Sequence, residues 1–104
     1  MGKEYDVLVV VEVENLEDKT SFDKHLRREG LKEIEGEEFA YIGKASTPLL
    51  NTMAFVQDAV KKALKKGKDF NECKMAMWLG ESGPKSFVYN KTEEEFKEVI
   101  EDIS

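Results

Sequence analysis

Apolar and polar positions alternate most strictly between Tyr5 and Glu14, in the run YDVLVVVEVE. Tyr5, Val7, Val9, Val11 and Val13 fill the odd places. The even places hold Asp6, Leu8 and Val10 before turning acidic at Glu12 and Glu14. Successive side chains of a strand point to opposite faces, so one face is apolar along its whole length and the other only in its first half. A strand between two neighbours, under helices on one side and partly covered on the other, has this composition.

The remaining elements follow in order. Asn15 to Lys19 is a polar connection, after which Thr20 with Asp23, or Ser21 alone, caps a helix running to about Glu29. Phe22 and Leu26 lie one turn apart on its buried side, and Gly30 suits the residue just past its end. Leu31 to Glu35 alternates as a short second strand. Gly36 and Glu37 turn the chain, and Glu38 to Ala45 returns as a third strand carrying Phe39, Tyr41 and Ile42. Thr47-Pro48 opens the longest helix, since a proline at the first helical position lacks only an N–H that would be unpaired there. Leu49, Met53, Val56, Val60 and Ala63/Leu64 mark its buried stripe, and Gly67 ends it. Cys73 to Gly80 reads as a fourth strand with Cys73, Met75, Met77 and Leu79 on one face and Ala76 and Trp78 on the other. Glu81 to Pro84 forms a turn, and Ser86 to Asn90 returns as a fifth strand. Thr92 and Glu95 make a capping box for a last helix bearing Phe96, Val99, Ile100 and Ile103.

This order is β-α-β-β-α-β followed by an extra strand and a terminal helix. It predicts an α+β, ferredoxin-like fold in which two right-handed crossovers place two helices on one face of an antiparallel sheet. Residues 1–104 make one domain, with no repeat, low-complexity segment or linker. The net charge of −6 disfavours a general nucleic-acid binder, whose affinity comes largely from neutralised phosphates. A single cysteine rules out an intramolecular disulfide. With no basic stretch before an apolar core at the start, and no run near the ~20 apolar residues that span a bilayer, a cytoplasmic protein without membrane contact is expected.

Candidate chemistry is sparse. Lys44, Ser46 and Thr47 lie between a strand and a helix start, where free N–H groups can take an anion. The phosphate-loop spacing is absent, because Glu38 stands where its first glycine belongs and Ala45 where its hydroxyl belongs. Gly80-Glu81-Ser82-Gly83 lacks the spacing of a nucleophile elbow. His25 and Cys73 are single copies, too few for structural zinc, so no metal site is assigned. They read most simply as a surface or boundary histidine and a core thiol. Lys61, Lys62, Lys65, Lys66 and Lys68 form a basic patch best explained by the dipole at a helix C-terminus. Glu12 and Glu14 share a strand face and, with Asp6 or acids on a neighbouring strand, could hold Mg²⁺; the simpler reading is that the strand leaves the core there. Leu8, Val10 and Trp78 fall on faces that cannot all lie under helices, and the leftover apolar area predicts an interface, preferably a homodimer through the sheet face or an edge strand. The competing expectation is that the last helix folds over it.

The run VLVVVEVE, a helix ending in HLRREGLKEI and the strand EEFAYIG resemble the superfamily that comprises the small CRISPR-associated adaptation subunit, the virulence-associated protein D toxins and the GhoS-type antitoxin endoribonucleases. The likeness covers about the first half of the chain. It implies a homodimer, contact of Arg27 or Arg28 with RNA phosphate, and a metal-dependent site at the end of the first strand. The adaptation subunit carries an aspartate there, where this chain has Glu12 or Glu14.

Two functions are therefore carried forward. One is a non-enzymatic dimeric module that binds a protein or small ligand at its sheet face, with no cofactor. The alternative is a toxin–antitoxin-like, Mg²⁺-dependent endoribonuclease or RNA-binding protein using Glu12, Glu14 and Arg28. An RNA-recognition domain would need an aromatic-rich octamer that is missing.

Overall fold

A computed structural model describes residues 3–99. Its elements are β1 (Tyr5–Val13), α1 (Lys19–Arg28), β2 (Lys32–Glu33), β3 (Ala40–Ala45), α2 (Leu49–Lys66), β4 (Cys73–Leu79), β5 (Lys85–Asn90) and β6 (Glu95–Val99). The six strands form one antiparallel sheet in the order β2-β3-β1-β4-β5-β6. β1 is internal, with Val9 opposite Tyr41 of β3 on one side and Met77 of β4 on the other.

The alternation in β1 sets the two layers. Val7, Val9 and Val11 are buried together with Met75, Met77 and Leu79 of β4, Tyr41 of β3 and Phe87 of β5. Phe22 and Leu26 of α1 and Val56, Ala59, Val60, Ala63 and Leu64 of α2 complete the same core, so both helices cover this face. The α2 stripe is displaced from the expected one at its start. Thr52 is buried, Met53 only partly so, and Leu49 is exposed.

Caps and turns depart from the sequence expectation in several places; Pro48, expected at the first helical position of α2, is its N-cap instead, with ψ 148°. The N-cap of α1 is Asp18 rather than Thr20 or Ser21. Its carboxylate accepts from the Ser21 N–H at 3.0 Å and from the Ser21 hydroxyl at 2.7 Å, and these bonds hold its pKa below the ordinary value. Asp23, expected near the cap, turns inward instead. Gly67 does end α2, but with φ −77° it is not the left-handed residue; Lys68 is, at φ 70°. A Cβ at Gly67 would stand 2.7 Å from Leu16 Cδ1, so a larger residue there would push the end of the Leu16 side chain aside.

The terminal helix is corrected outright over the described residues. Asn90 accepts the Glu93 N–H at 3.0 Å, Glu94 takes φ 53°, and Glu95–Val99 returns along β5 with Phe96 opposite Tyr89. A left-handed residue at Glu94 interrupts any helix starting at Thr92, and β5 offers an edge ready for pairing. Phe96 then points inward, 5.1 Å from the Tyr89 ring, which is in turn 5.7 Å from Phe70. Ile100 and Ile103, the rest of that expected helix, lie outside the described residues.

Candidate functional site

The face of the sheet away from the helices carries the most distinctive surface. The even residues of β1 stand in rows with their cross-strand partners, and side chains in one row share a face. One row runs Ile42–Leu8–Trp78 and the next Ala40–Val10–Ala76–Ser86–Val99. Val88 adjoins them on β5. Ile42 is 48% exposed and Val10, Val88 and Val99 are each close to 40%, whereas Leu8 and Trp78 are half-buried by their neighbours. β6 extends this face sideways and does not fold over it, so the expectation of a covering helix is replaced, for residues 95–99, by a wider sheet.

Charged rows of mixed sign close both ends of this apolar band. Lys44 faces Asp6 at one end, with Nζ 3.3 Å from Oδ1. At the other, Glu12 stands opposite Lys74, and Lys97 opposite Val88. A shallow hollow of about 280 Å³ lies between Val10, Glu12, Ala76, Val88 and Val99. Leu8, Val10 and Trp78 were legible as leftover apolar residues. Ile42 and Val88 were missed, although each alternates with a buried aromatic, Tyr41 and Phe87. Val99 was missed because it was assigned to a helix.

The other candidates are placed as follows. Glu12 is exposed on the open face, while Glu14 lies past the end of β1, its backbone paired with Glu72 and Asn71. Arg28 is exposed at the end of α1, in the layer opposite the face that carries Glu12. Among the described residues no group of three or more His, Cys, Asp or Glu is arranged to hold a metal ion.

Lys44, Ser46 and Thr47 border a hollow of about 300 Å³ with Gly30, Gly43 and Phe55. Its polar groups are largely engaged. Lys44 pairs with Asp6, the Thr47 and Thr52 hydroxyls bond each other at 2.7 Å, and the Tyr5 hydroxyl donates to the Thr47 carbonyl at 2.7 Å. Tyr5 and Thr52 are also linked at 2.5 Å, so this cluster ties β1 to the start of α2. Cys73 is a buried β4 residue whose thiol is pushed up to about 12 by burial, which keeps it protonated and unreactive at neutral pH.

A buried polar pair escaped the sequence reading. The Tyr41 hydroxyl donates to Asp23, which is only 7% exposed, and Lys19 Nζ lies 2.5 Å from the other Asp23 oxygen. Burial first, and then the neighbouring carboxylate, raise the Tyr41 pKa. The arrangement fastens α1 to β3 and keeps the phenol protonated further into the alkaline range than an ordinary tyrosine. Its only signal in the sequence was an aspartate one residue after Phe22, on the inward side of α1.

No family model matches the chain, and comparison with curated proteins and with solved structures gave no significant match. Among the described residues no helix is long and apolar enough to cross a membrane.

Proposed function

We propose that this chain is a non-enzymatic, ferredoxin-like binding module that pairs with a second copy of itself through the open sheet face. The strand order β2-β3-β1-β4 beneath two helices supports the ferredoxin-like plan, with the β5–β6 hairpin as an extension of it. The observation that carries the interaction reading is the two-row apolar band across five strands, bounded by charged rows of mixed sign. Removing apolar area from water drives association, and a contiguous band of this kind on a small domain marks a contact surface. A second copy fits because each border row contains lysine as well as acid. A two-fold rotation can therefore set Lys44 or Lys74 of one copy against carboxylates of the other. The RNA-cleaving alternative needs the β1 carboxylates and a helix arginine on one surface; Glu12 on the open face and Arg28 in the helical layer support the binding reading instead.

Trp78 is the sole tryptophan and sits inside the band, so its fluorescence reports this contact without interference. Dimerisation should shift its emission to shorter wavelength as protein concentration rises, in step with a doubling of mass by sedimentation. Val10→Glu, at a partly exposed position, should leave the fold intact and keep the chain monomeric, and Trp78→Ala should weaken the dimer. A wild-type chain that stays monomeric, with emission independent of concentration, overturns the reading.

A further inference from the structure

If two copies meet through the open sheet face, as proposed above, the charges on that face select one arrangement. One end of the apolar band is closed by the cross-strand row Glu12–Lys74–Val88–Lys97 and the other by Asp6 with Lys44. Six strands about 4.8 Å apart, and the stretch from Asp6 to Glu12 at about 3.4 Å per residue, give a face of roughly 29 by 20 Å. A dimer of ordinary size buries about 800 Å² per copy, so almost the whole face has to be used.

Stacked sheets keep their strands within about 30° of alignment, which leaves two kinds of two-fold axis in the interface plane. An axis across the strands turns each strand end for end over its own copy. With the two apolar rows overlapping, it stands Asp6 of one copy over Glu12 of the other, acid on acid, twice. An axis along the strands keeps row over row and reverses the strand order. Placed between β1 and β4, in the middle of the order β2-β3-β1-β4-β5-β6, it overlaps the whole face and lays β1 of each copy over β4 of the other. Leu8 then meets Trp78, Val10 meets Ala76 and Glu12 meets Lys74, each contact made twice. Asp6 faces Gly80, whose N–H bonds the Asp6 carbonyl within each copy at 2.8 Å, so no acid meets acid at that end.

Displaced axes do worse. Centred on β1, the axis sets Glu12 over Glu12; centred on β4, it sets Lys74 over Lys74. Between β4 and β5 it sets Glu12 over Lys97, whose charge Glu93 already takes at 2.7 Å, and it moves Leu8 off Trp78.

We propose that two copies of this chain stack their open faces with strands aligned about a two-fold axis between β1 and β4. Trp78 packs on Leu8 of the other copy, and two reciprocal Glu12–Lys74 ion pairs close the rim. The apolar rows supply the affinity, and the charges select the arrangement by penalising the alternatives.

Sedimentation of the full chain at low salt, with Trp78 emission followed in parallel, tests it. Glu12→Lys and Lys74→Glu should each weaken the dimer about tenfold, because each replaces two attractions by two repulsions. Mixed in equal amounts, the two variants should recover the wild-type affinity, since every acid at this rim again meets a lysine across the interface. A variant that merely misfolds gains nothing from mixing. Lys97→Ala should change the Kd by no more than about twofold, and added salt should shrink the losses from Glu12→Lys and Lys74→Glu. Tighter association of Glu12→Lys marks an axis across the strands and overturns the arrangement. So does a mixture no tighter than its components, or Lys97→Ala as harmful as Lys74→Glu. In each of these cases the open-face dimer itself stands. A wild-type chain that stays monomeric overturns the arrangement and the dimer together.

Discussion

Asp23 and Tyr41 form the contact on which single-residue changes act most cleanly. A hydrogen bond to a charged group adds roughly 1.5–3 kcal/mol, and removing one partner leaves the other buried and unsatisfied. Asp23→Ala and Tyr41→Phe should each lower stability by about that amount in urea unfolding. The double variant should lose clearly less than the sum, because both changes delete the same bond. Strict additivity would mean that the two side chains act separately. Lys68 offers the opposite case. It occupies the left-handed region at φ 70°, where an L side chain is disfavoured and glycine is not. Lys68→Gly should raise the unfolding midpoint, with a gain of about 0.5–1 kcal/mol. The sequence marks Gly67 as the end of the helix, and the positive φ falls one residue later. Leu16 packs against the glycine, a long-range contact that local reasoning does not contain.

Elements were legible wherever one period ran long enough to be unambiguous. β1 and β4 alternate over most of their length, and the core half of α2 holds its apolar spacing from Val56 to Leu64, so their positions and inward faces followed from the residues alone. Short segments were not. In Glu95–Val99 two apolar residues three apart fit either period, and the capping pattern Thr92–Glu95 favoured the helix. What decided for a strand was the unpaired edge of β5 and the aromatic cluster of Phe70, Tyr89 and Phe96, which exists only after folding. The leftover apolar face was readable in outline through Leu8, Val10 and Trp78. Its extension to Ile42, Val88 and Val99 needed the strand register. If Phe96 anchors the hairpin, Phe96→Ala should cost about 3 kcal/mol and speed amide exchange in β5 and β6 more than in β1. Equal acceleration in all strands would show that the hairpin folds only as part of the whole sheet.

Two buried acids couple the stability of the whole molecule to alkaline pH. The Cys73 thiol and the Tyr41 phenol have ordinary values of 9.0 and 10.0, and both are raised by burial, Tyr41 also by the Asp23 carboxylate. In the folded chain they keep their protons over a range in which the unfolded chain has lost them. Above pH 9 the unfolded state therefore binds fewer protons than the native state, and unfolding free energy must fall as pH rises. Below that the two groups are protonated in both states and contribute no slope. The urea midpoint should be insensitive to these groups from pH 7 to near 9, then fall, first through Cys73 and more steeply past pH 10 once Tyr41 joins. The exposed pairs Lys62–Asp58 and Lys97–Glu93 also loosen as their lysines deprotonate, but surface pairs contribute little. Cys73→Ala tests the order of events. The variant starts from a lower midpoint because a buried side chain is trimmed, yet its decline should begin nearer pH 10 than pH 9. An unchanged onset would mean that the thiol reaches solvent in the native state, and rapid alkylation of Cys73 by iodoacetamide at pH 8 without denaturant would then follow.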